Sequence, residues 1–282
     1  MNISGCDLVI NVDGLKVCYD DFGNGKVPVI FIHGFPFDKS SWKPQMDFLK
    51  NTNRVIAYDI RGFGKSIADN ETTSMSLFAD DLIKFMDALQ LDKAIVCGLS
   101  MGGYILMNAA IRYPNRFKAI ILSDTQCIAD SPKAKEKRYK IIDQIESNGI
   151  NDFASDYIKN VFRKESIDNN QGLVEKMRNV ILSTSQQTIT GTLKALAKRH
   201  EMCPWLGKIT VPSLILCGRE DTLTPFIQSE FLFNKIPNSI LLGIEKAGHL
   251  SNLEQPDEFN EHLKNFISVQ IKMVAEKHLI AI

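Results

Sequence analysis

Short apolar runs alternate with helical repeats along most of this chain, and that alternation constrains the fold more than any other feature. Val27–Ile32 (VPVIFI), Asn53–Asp59 (NRVIAYD), Ala94–Cys97, Lys118–Ser123, Ser213–Cys217 and Ile240–Ile244 read as strands. Strands that are apolar on both faces need cover on both faces, which is the condition of a parallel sheet flanked by helices. Met75–Leu89, Met101–Arg112, a stretch near Pro225–Asn234 and the segment from Pro256 onward carry helical spacing. In the first of these, Leu77, Phe78, Leu82, Phe85, Met86 and Leu89 fall on one side. Leu8–Tyr19 alternates around Asp13-Gly14, and both turn residues tolerate positive φ, so this stretch reads as a hairpin.

The alternation stops between about Ile128 and Pro212. Ala134–Glu146, Asp152–Phe162, Leu173–Leu182 and Gln187–Arg199 all have helical patterns, and no strand separates them. The expected organisation is an α/β core in two parts, 1–127 and 211–282, with a helical cap at 128–210. The 33 basic and 33 acidic side chains balance, which leaves no electrostatic footprint for nucleic acid or an anionic membrane. No apolar run approaches the roughly 18 residues of a membrane span. The opening MNISGCDLVI carries no signal-peptide pattern. Six cysteines are scattered without a C-x-x-C pair, and Cys97 and Cys217 read as buried strand thiols. A cytoplasmic, reducing location is the expectation.

Gly98-Leu99-Ser100-Met101-Gly102 sits between a strand and a helix. In that context G-x-S-x-G marks a serine on a tight strand-to-helix turn, with its hydroxyl projected from the sheet edge. Side chains two before and two after would collide, so glycine occupies both positions. A serine hydroxyl is a weak nucleophile and needs a base oriented by a carboxylate. Of the five histidines, His262 and His278 lie on the last helix, His200 ends a helix, and His33 reads as a loop-shaping residue. His249, in a glycine-containing loop after the strand Ile240–Ile244, falls at the carboxyl edge beside Ser100 and is the candidate base. Asp221, after the strand that ends at Cys217, is the candidate acid; Asp124 and Glu220 are its rivals. The oxyanion needs two donors already in place. The backbone N–H groups of Met101 and of Phe35, in the loop His33-Gly34-Phe35-Pro36, are the candidates, since Pro36 has none to offer.

With HGF after a strand, D-x-R-G-F-G-x-S at Asp59–Ser66, GLSMGG at Gly98–Gly103, VPSLILCGREDTLTP at Val211–Pro225 and AGHLSNLEQP at Ala247–Pro256, the chain resembles the α/β-hydrolase superfamily over nearly its whole length. The resemblance implies the α/β-hydrolase fold, a Ser-His-Asp triad and a helical lid. GLSMGG and GHLSNLEQP are similar to the 3-oxoadipate enol-lactonase, bacterial carboxylesterase and cofactor-free haloperoxidase groups. The expected activity is hydrolysis of a small-molecule carboxylic ester or lactone through an acyl-serine. Its alternatives are peracid-forming chemistry on the same residues and a non-catalytic small-molecule receptor.

No cofactor or metal is expected. Gly64-Lys65-Ser66 ends like a phosphate-binding loop, but Asp59 stands where that loop needs glycine. Gly98, Ser100 and Gly103 have dinucleotide spacing with serine in place of the second glycine. Between Ala129 and His200, 13 Lys+Arg stand against 9 Asp+Glu. If that surplus faces the pocket, an anionic substrate is favoured. If it faces water, as the charged run Lys133–Lys140 suggests, it is not; the expectation is a preference for a small anionic lactone or ester over a neutral one of equal size.

Overall fold

The computed structural model describes residues 4–67 and 73–279, with side chains as far as Ile271. β1 (Gly5–Val12) and β2 (Leu15–Phe22) form the antiparallel hairpin. Its turn residues Asp13 and Gly14 take φ of 51° and 88°. β3 (Val29–Ile32), α1 (Lys43–Leu49), β4 (Val55–Tyr58), α2 (Met75–Ala88), β5 (Ala94–Leu99), α3 (Met101–Arg112) and β6 (Phe117–Ser123) follow. Five helices then run without an intervening strand: α4 (Pro132–Asn148), α5 (Asn151–Val161), α6 (Lys164–Asn169), α7 (Gln171–Ser183) and α8 (Gln186–Ala197). β7 (Ser213–Gly218), α9 (Phe226–Lys235), β8 (Ser239–Ile244), α10 (Ser251–Glu254) and α11 (Pro256–Leu279) complete the chain. The side chain of His278 lies outside the described residues.

The eight strands form one sheet in the order β1-β2-β4-β3-β5-β6-β7-β8. Only the pairs β1·β2 and β2·β4 are antiparallel. Every residue of β3, β4, β5 and β7 is buried, as continuous apolar runs require. β8 is an edge strand and is half exposed, with Ile240 open to solvent. On one face Trp42, just before α1, packs between Phe31 of β3 and Phe259 of α11 at 4.9 and 6.1 Å. All three are fully buried. On the other face α2 and α3 lie side by side, with Phe78, Leu82, Phe85 and Met86 turned inward.

α1, α6 and α10 do not stand out as periodic segments because they are only seven, six and four residues long. α1 still has the Pro44 of its first turn, and α4 begins where Ser131 accepts the N–H of Ala134. Among the described residues no helix is long and apolar enough to cross a membrane.

Cys97 and Cys217 are buried free thiols, whereas Cys127 and Cys203 form a disulfide with Cα atoms 5.0 Å apart. That bond departs from the reading of the cysteines as thiols of a reducing compartment. It ties the exit of β6 to the approach of β7 and closes a separation of 76 residues. Closing so long a loop limits the unfolded chain, an effect on the order of 2–4 kcal/mol. Cys203→Ser, or reductant added to the wild type, is therefore expected to lower the denaturant midpoint and, because the unfolded chain is then less compact, to steepen the slope. Identical unfolding curves with and without reductant would show that this bond carries no stability.

Candidate active site

β5 delivers Ser100 to the carboxyl edge of the sheet on a backbone turn with φ 53° and ψ −112°. A non-glycine residue at such angles is strained, and close packing around it enforces the turn. A Cβ on Gly98 would lie 2.3 Å from the Gly102 carbonyl, and one on Gly102 would lie 2.4 Å from the carbonyl of Ile32. Both glycines are therefore obligatory. The Ser100 N–H donates to Ser123 O at 2.9 Å, and its carbonyl accepts the N–H of Gly103 and Tyr104 as α3 starts.

His249 stands in the loop after β8 and is 2% exposed. Its Nδ1 lies 2.8 Å from Asp221 Oδ2 and its Nε2 lies 2.8 Å from Ser100 Oγ. Asp221 only accepts, so Nδ1–H donates to it, Nε2 keeps its lone pair, and the serine hydroxyl donates to that nitrogen. The two oxygens of Asp221 divide their work. Oδ1 accepts the N–H groups of Leu223 and Thr224 and shapes the turn; Oδ2 accepts His249 and the Thr224 hydroxyl, the latter at 2.6 Å. Asp221 is thus both the turn-starting Asp and the partner of His249. Its rival Glu220 turns away to Arg163 Nε at 3.1 Å. Asp124 is buried with its carboxylate near that of Asp221, but it does not bond His249.

Burial alone would raise the Asp221 carboxyl; the His249 charge, its hydrogen bond and the Thr224 donors outweigh this and hold it below its ordinary value. Burial would likewise lower His249, but the charge and hydrogen bond of Asp221, helped by Asp124 and Glu254, raise it above 6.5. His33 has no such carboxylate. Its Nε2 accepts the N–H of Ile60, its Nδ1 donates to Gly34 O, and burial drives it down to about 4. It is a neutral residue that shapes the loop. His200 is exposed, and His262 faces Glu258 on α11.

The loop after β3 lies against the serine turn. A Cβ on Gly34 would sit 3.3 Å from both Leu99 O and Ser100 Cβ, which places Phe35 at the site's rim and Met101 directly after the serine. Over Phe35 pack Phe153 and Tyr157 of α5, and the Tyr157 hydroxyl donates to Phe35 O at 2.7 Å. The end of α5 also grips the histidine loop. Val161 O accepts the N–H of His249 at 3.0 Å, while Glu254 accepts those of Gly248 and Arg163.

Thr224, Tyr157, Val161 and Glu254 were not singled out by sequence reasoning. Only Thr224 left a local signal, as the fourth residue of an Asp-initiated turn. Asp59 fastens its loop by accepting the N–H groups of Lys39 and Lys65, so D-x-R-G-F-G-x-S is architecture. Lys133, Lys135, Lys137 and Lys140 are exposed. Among the described residues only Arg199 of the 129–200 basic set is buried, and Asp130 takes its guanidinium at 2.6 Å. One helical turn beyond Ser100 along α3, a cavity of about 240 Å³ opens between Tyr104, Asn108, Gln126, Arg199 and His200.

A family profile described as alpha/beta hydrolase fold matches residues 27–256. The chain is 30% identical to 3-oxoadipate enol-lactonase 1 of Acinetobacter baylyi over 261 residues, 92% of this chain and 96% of that one. It is also 30% identical to 3-oxoadipate enol-lactonase 2 of the same species, over 86% and 89% of the two chains. Among solved structures, a malate-bound thermophilic esterase from Thermogutta terrifontis superposes with TM-score 0.88 and 32% identity, over 93% of this chain and 98% of that one.

The electrostatics can be checked without a substrate. By NMR the His249 imidazole is expected to titrate above 6.5 in the wild type. In Asp221→Asn the raising partner is lost while burial remains, so its pKa is expected to fall below that of the wild type. An unchanged value would show that Asp221 does not govern the ring.

Proposed function

Because this chain belongs to the α/β-hydrolase family, we propose that it is a serine hydrolase that cleaves a small-molecule carboxylic ester or lactone through an acyl-serine intermediate. The observation that carries this reading is the unbroken line from Ser100 Oγ through His249 to Asp221, with both contacts at 2.8 Å. His249 Nε2 takes the serine proton as Oγ attacks the carbonyl carbon. The new imidazolium faces the Asp221 carboxylate, whose charge stabilises it. The carbonyl oxygen becomes an oxyanion held by the N–H groups of Met101 and Phe35. His249 then gives its proton to the leaving alkoxide. In the second half a water loses its proton to His249 and attacks the acyl carbon; as that adduct collapses His249 returns the proton to Ser100 Oγ, and the acid is released. In a lactone the leaving alkoxide stays tethered to the acyl group, and a single hydroxy acid is released.

The same reading makes residues 128–210 a cap over a core of 1–127 and 211–282. Phe153 and Tyr157, packed against Phe35, support it. The enol-lactonase and esterase relatives support ester or lactone chemistry at this carbon.

Ser100→Ala is expected to lower kcat on any active ester by about 10³ or more, and a fluorophosphonate probe is expected to label Ser100 alone. Full turnover in the alanine variant would overturn the assignment. A second outcome concerns charge. Against an expected anionic preference, the 129–200 lysines are exposed and screened over roughly 10 Å, and the one buried cation of that set among the described residues, Arg199, is already paired with Asp130. A matched anionic and neutral ester are therefore expected to differ by less than about tenfold in kcat/KM, a gap worth ~1.4 kcal/mol. A salt-sensitive preference for the anion beyond that would mean that a cation reaches the pocket.

A further inference from the structure

The turn Ser123-Asp124-Thr125, which leaves β6, touches each segment that supplies a site side chain. Ser123 O accepts the N–H of Ser100 at 2.9 Å, and the Thr125 hydroxyl donates to Ser100 O at 2.8 Å. Between them Asp124 is completely buried. Its Oδ1 accepts the N–H of Gly218 at 2.8 Å, three residues before Asp221. Its Oδ2 accepts the hydroxyls of Ser123 at 2.7 Å and of Ser251 at 2.6 Å, the latter two residues after His249. The backbone at Asp124 has φ 45°, in the left-handed region that non-glycine residues seldom occupy. A strained, buried carboxylate is costly, and here it lies beside another. Oxygens of Asp124 and Asp221 and the sulfur of Cys217 all fall within 4.8 Å of one another.

Resting on the assignment of Ser100, His249 and Asp221 above, we propose that Asp124 is a positioning residue for the reaction. Its carboxylate clasps the Asp221 loop to the His249 loop, and its charge sets the pH at which His249 works as a base.

The groups that face it are Asp221 and Cys217 at the end of β7, His249 and Ser251 after β8, Ser123 beside it and Cys97 on β5. Burial, then the Asp221 charge, push the Asp124 carboxyl up to about 7, against the pull of His249, Ser251 and Gly218. Near neutrality this group therefore exchanges a proton, and its charge biases the titration of the His249 ring beside it. An ionised Asp124 stabilises the imidazolium; a neutral one does not. The two titrations are coupled, and the acid limb of activity belongs to the pair.

Asp124→Asn keeps the shape and removes the charge. Its amide oxygen accepts Gly218, and both serine hydroxyls can rotate to accept from Nδ2. The test is kcat/KM on a p-nitrophenyl ester from pH 5 to 9 for wild type, Asp124→Asn and Ser100→Ala. In Asp124→Asn the acid limb is expected to move to lower pH by about one unit. The plateau kcat is expected to fall about tenfold, because neutral hydrogen bonds replace charge-assisted ones in the clasp, with KM little changed. A merely structural residue would lower kcat without moving the limb, so an unshifted limb overturns the proposal. Activity retained in Ser100→Ala overturns the underlying assignment instead. Should Asp124→Asn not fold, wild-type NMR decides: two inflections in the His249 titration support the coupling, and a single-proton curve overturns it.

Discussion

The site depends on a close approach of bare backbone. With no side chain at Gly98 or Gly102, β5 and α3 meet at a distance that would put a Cβ within 2.4 Å of a carbonyl oxygen. That approach forces Ser100 into its strained angles, at a cost of order 1–3 kcal/mol. It also draws the turn against Ile32 and His33, since Gly102 presses on both of their carbonyls. Strand order does the rest. β3 and β5 are parallel neighbours, so the chain leaving β3 emerges beside the chain leaving β5. The nearness of Phe35 to Ser100 thus follows from sheet pairing.

Two buried histidines show how surroundings decide the state of a side chain. His33 and His249 are 0% and 2% exposed. Burial disfavours the charged ring in both. His33 hydrogen-bonds only backbone groups and stays neutral. His249 meets Asp221, with Asp124 and Glu254 beyond, and burial is overcome. A buried cation among carboxylates is tolerable because its partners are already desolvated and fixed by donors such as Thr224 and Gly218.

Much of this was legible in the sequence, for identifiable reasons. The inner strands show because both their faces are apolar, and the hairpin shows because Asp-Gly announces its turn. Ser100, His249 and Asp221 show because each stands at a strand's carboxyl end within a few residues of a glycine or an Asx turn. What stayed hidden depends on contacts between distant parts of the chain. Ser251 meets Asp124 across 127 positions and Tyr157 reaches Phe35 across 122; neither leaves a local pattern. The Cys127–Cys203 bond is hidden for the same reason, since spacing alone pairs no two of six scattered cysteines. Short α1 and α6 lack the two or three turns that periodicity needs.

The helical segment between β6 and β7 is held at several points. The disulfide fastens its two ends together. At the α5–α6 corner, Val161 O and the Arg163 side chain bind the histidine loop through His249 N and Lys246 O, and Arg163 also reaches Glu220 in the loop that carries Asp221. On α8, Gly191 O accepts the Thr73 hydroxyl at 3.2 Å. Swinging the whole segment aside would break all but the disulfide at once and would disturb the backbone that orients His249. α6 and α7 have fewer such ties: α7 packs chiefly on α5 and α6, and only Met177 and Ile181 are buried. Local opening is favoured where few buried contacts are lost. On the proposed reading, α6 and α7 are therefore the parts of this segment that yield most readily, while the α5–α6 corner stays closed on the histidine loop and keeps the base in place.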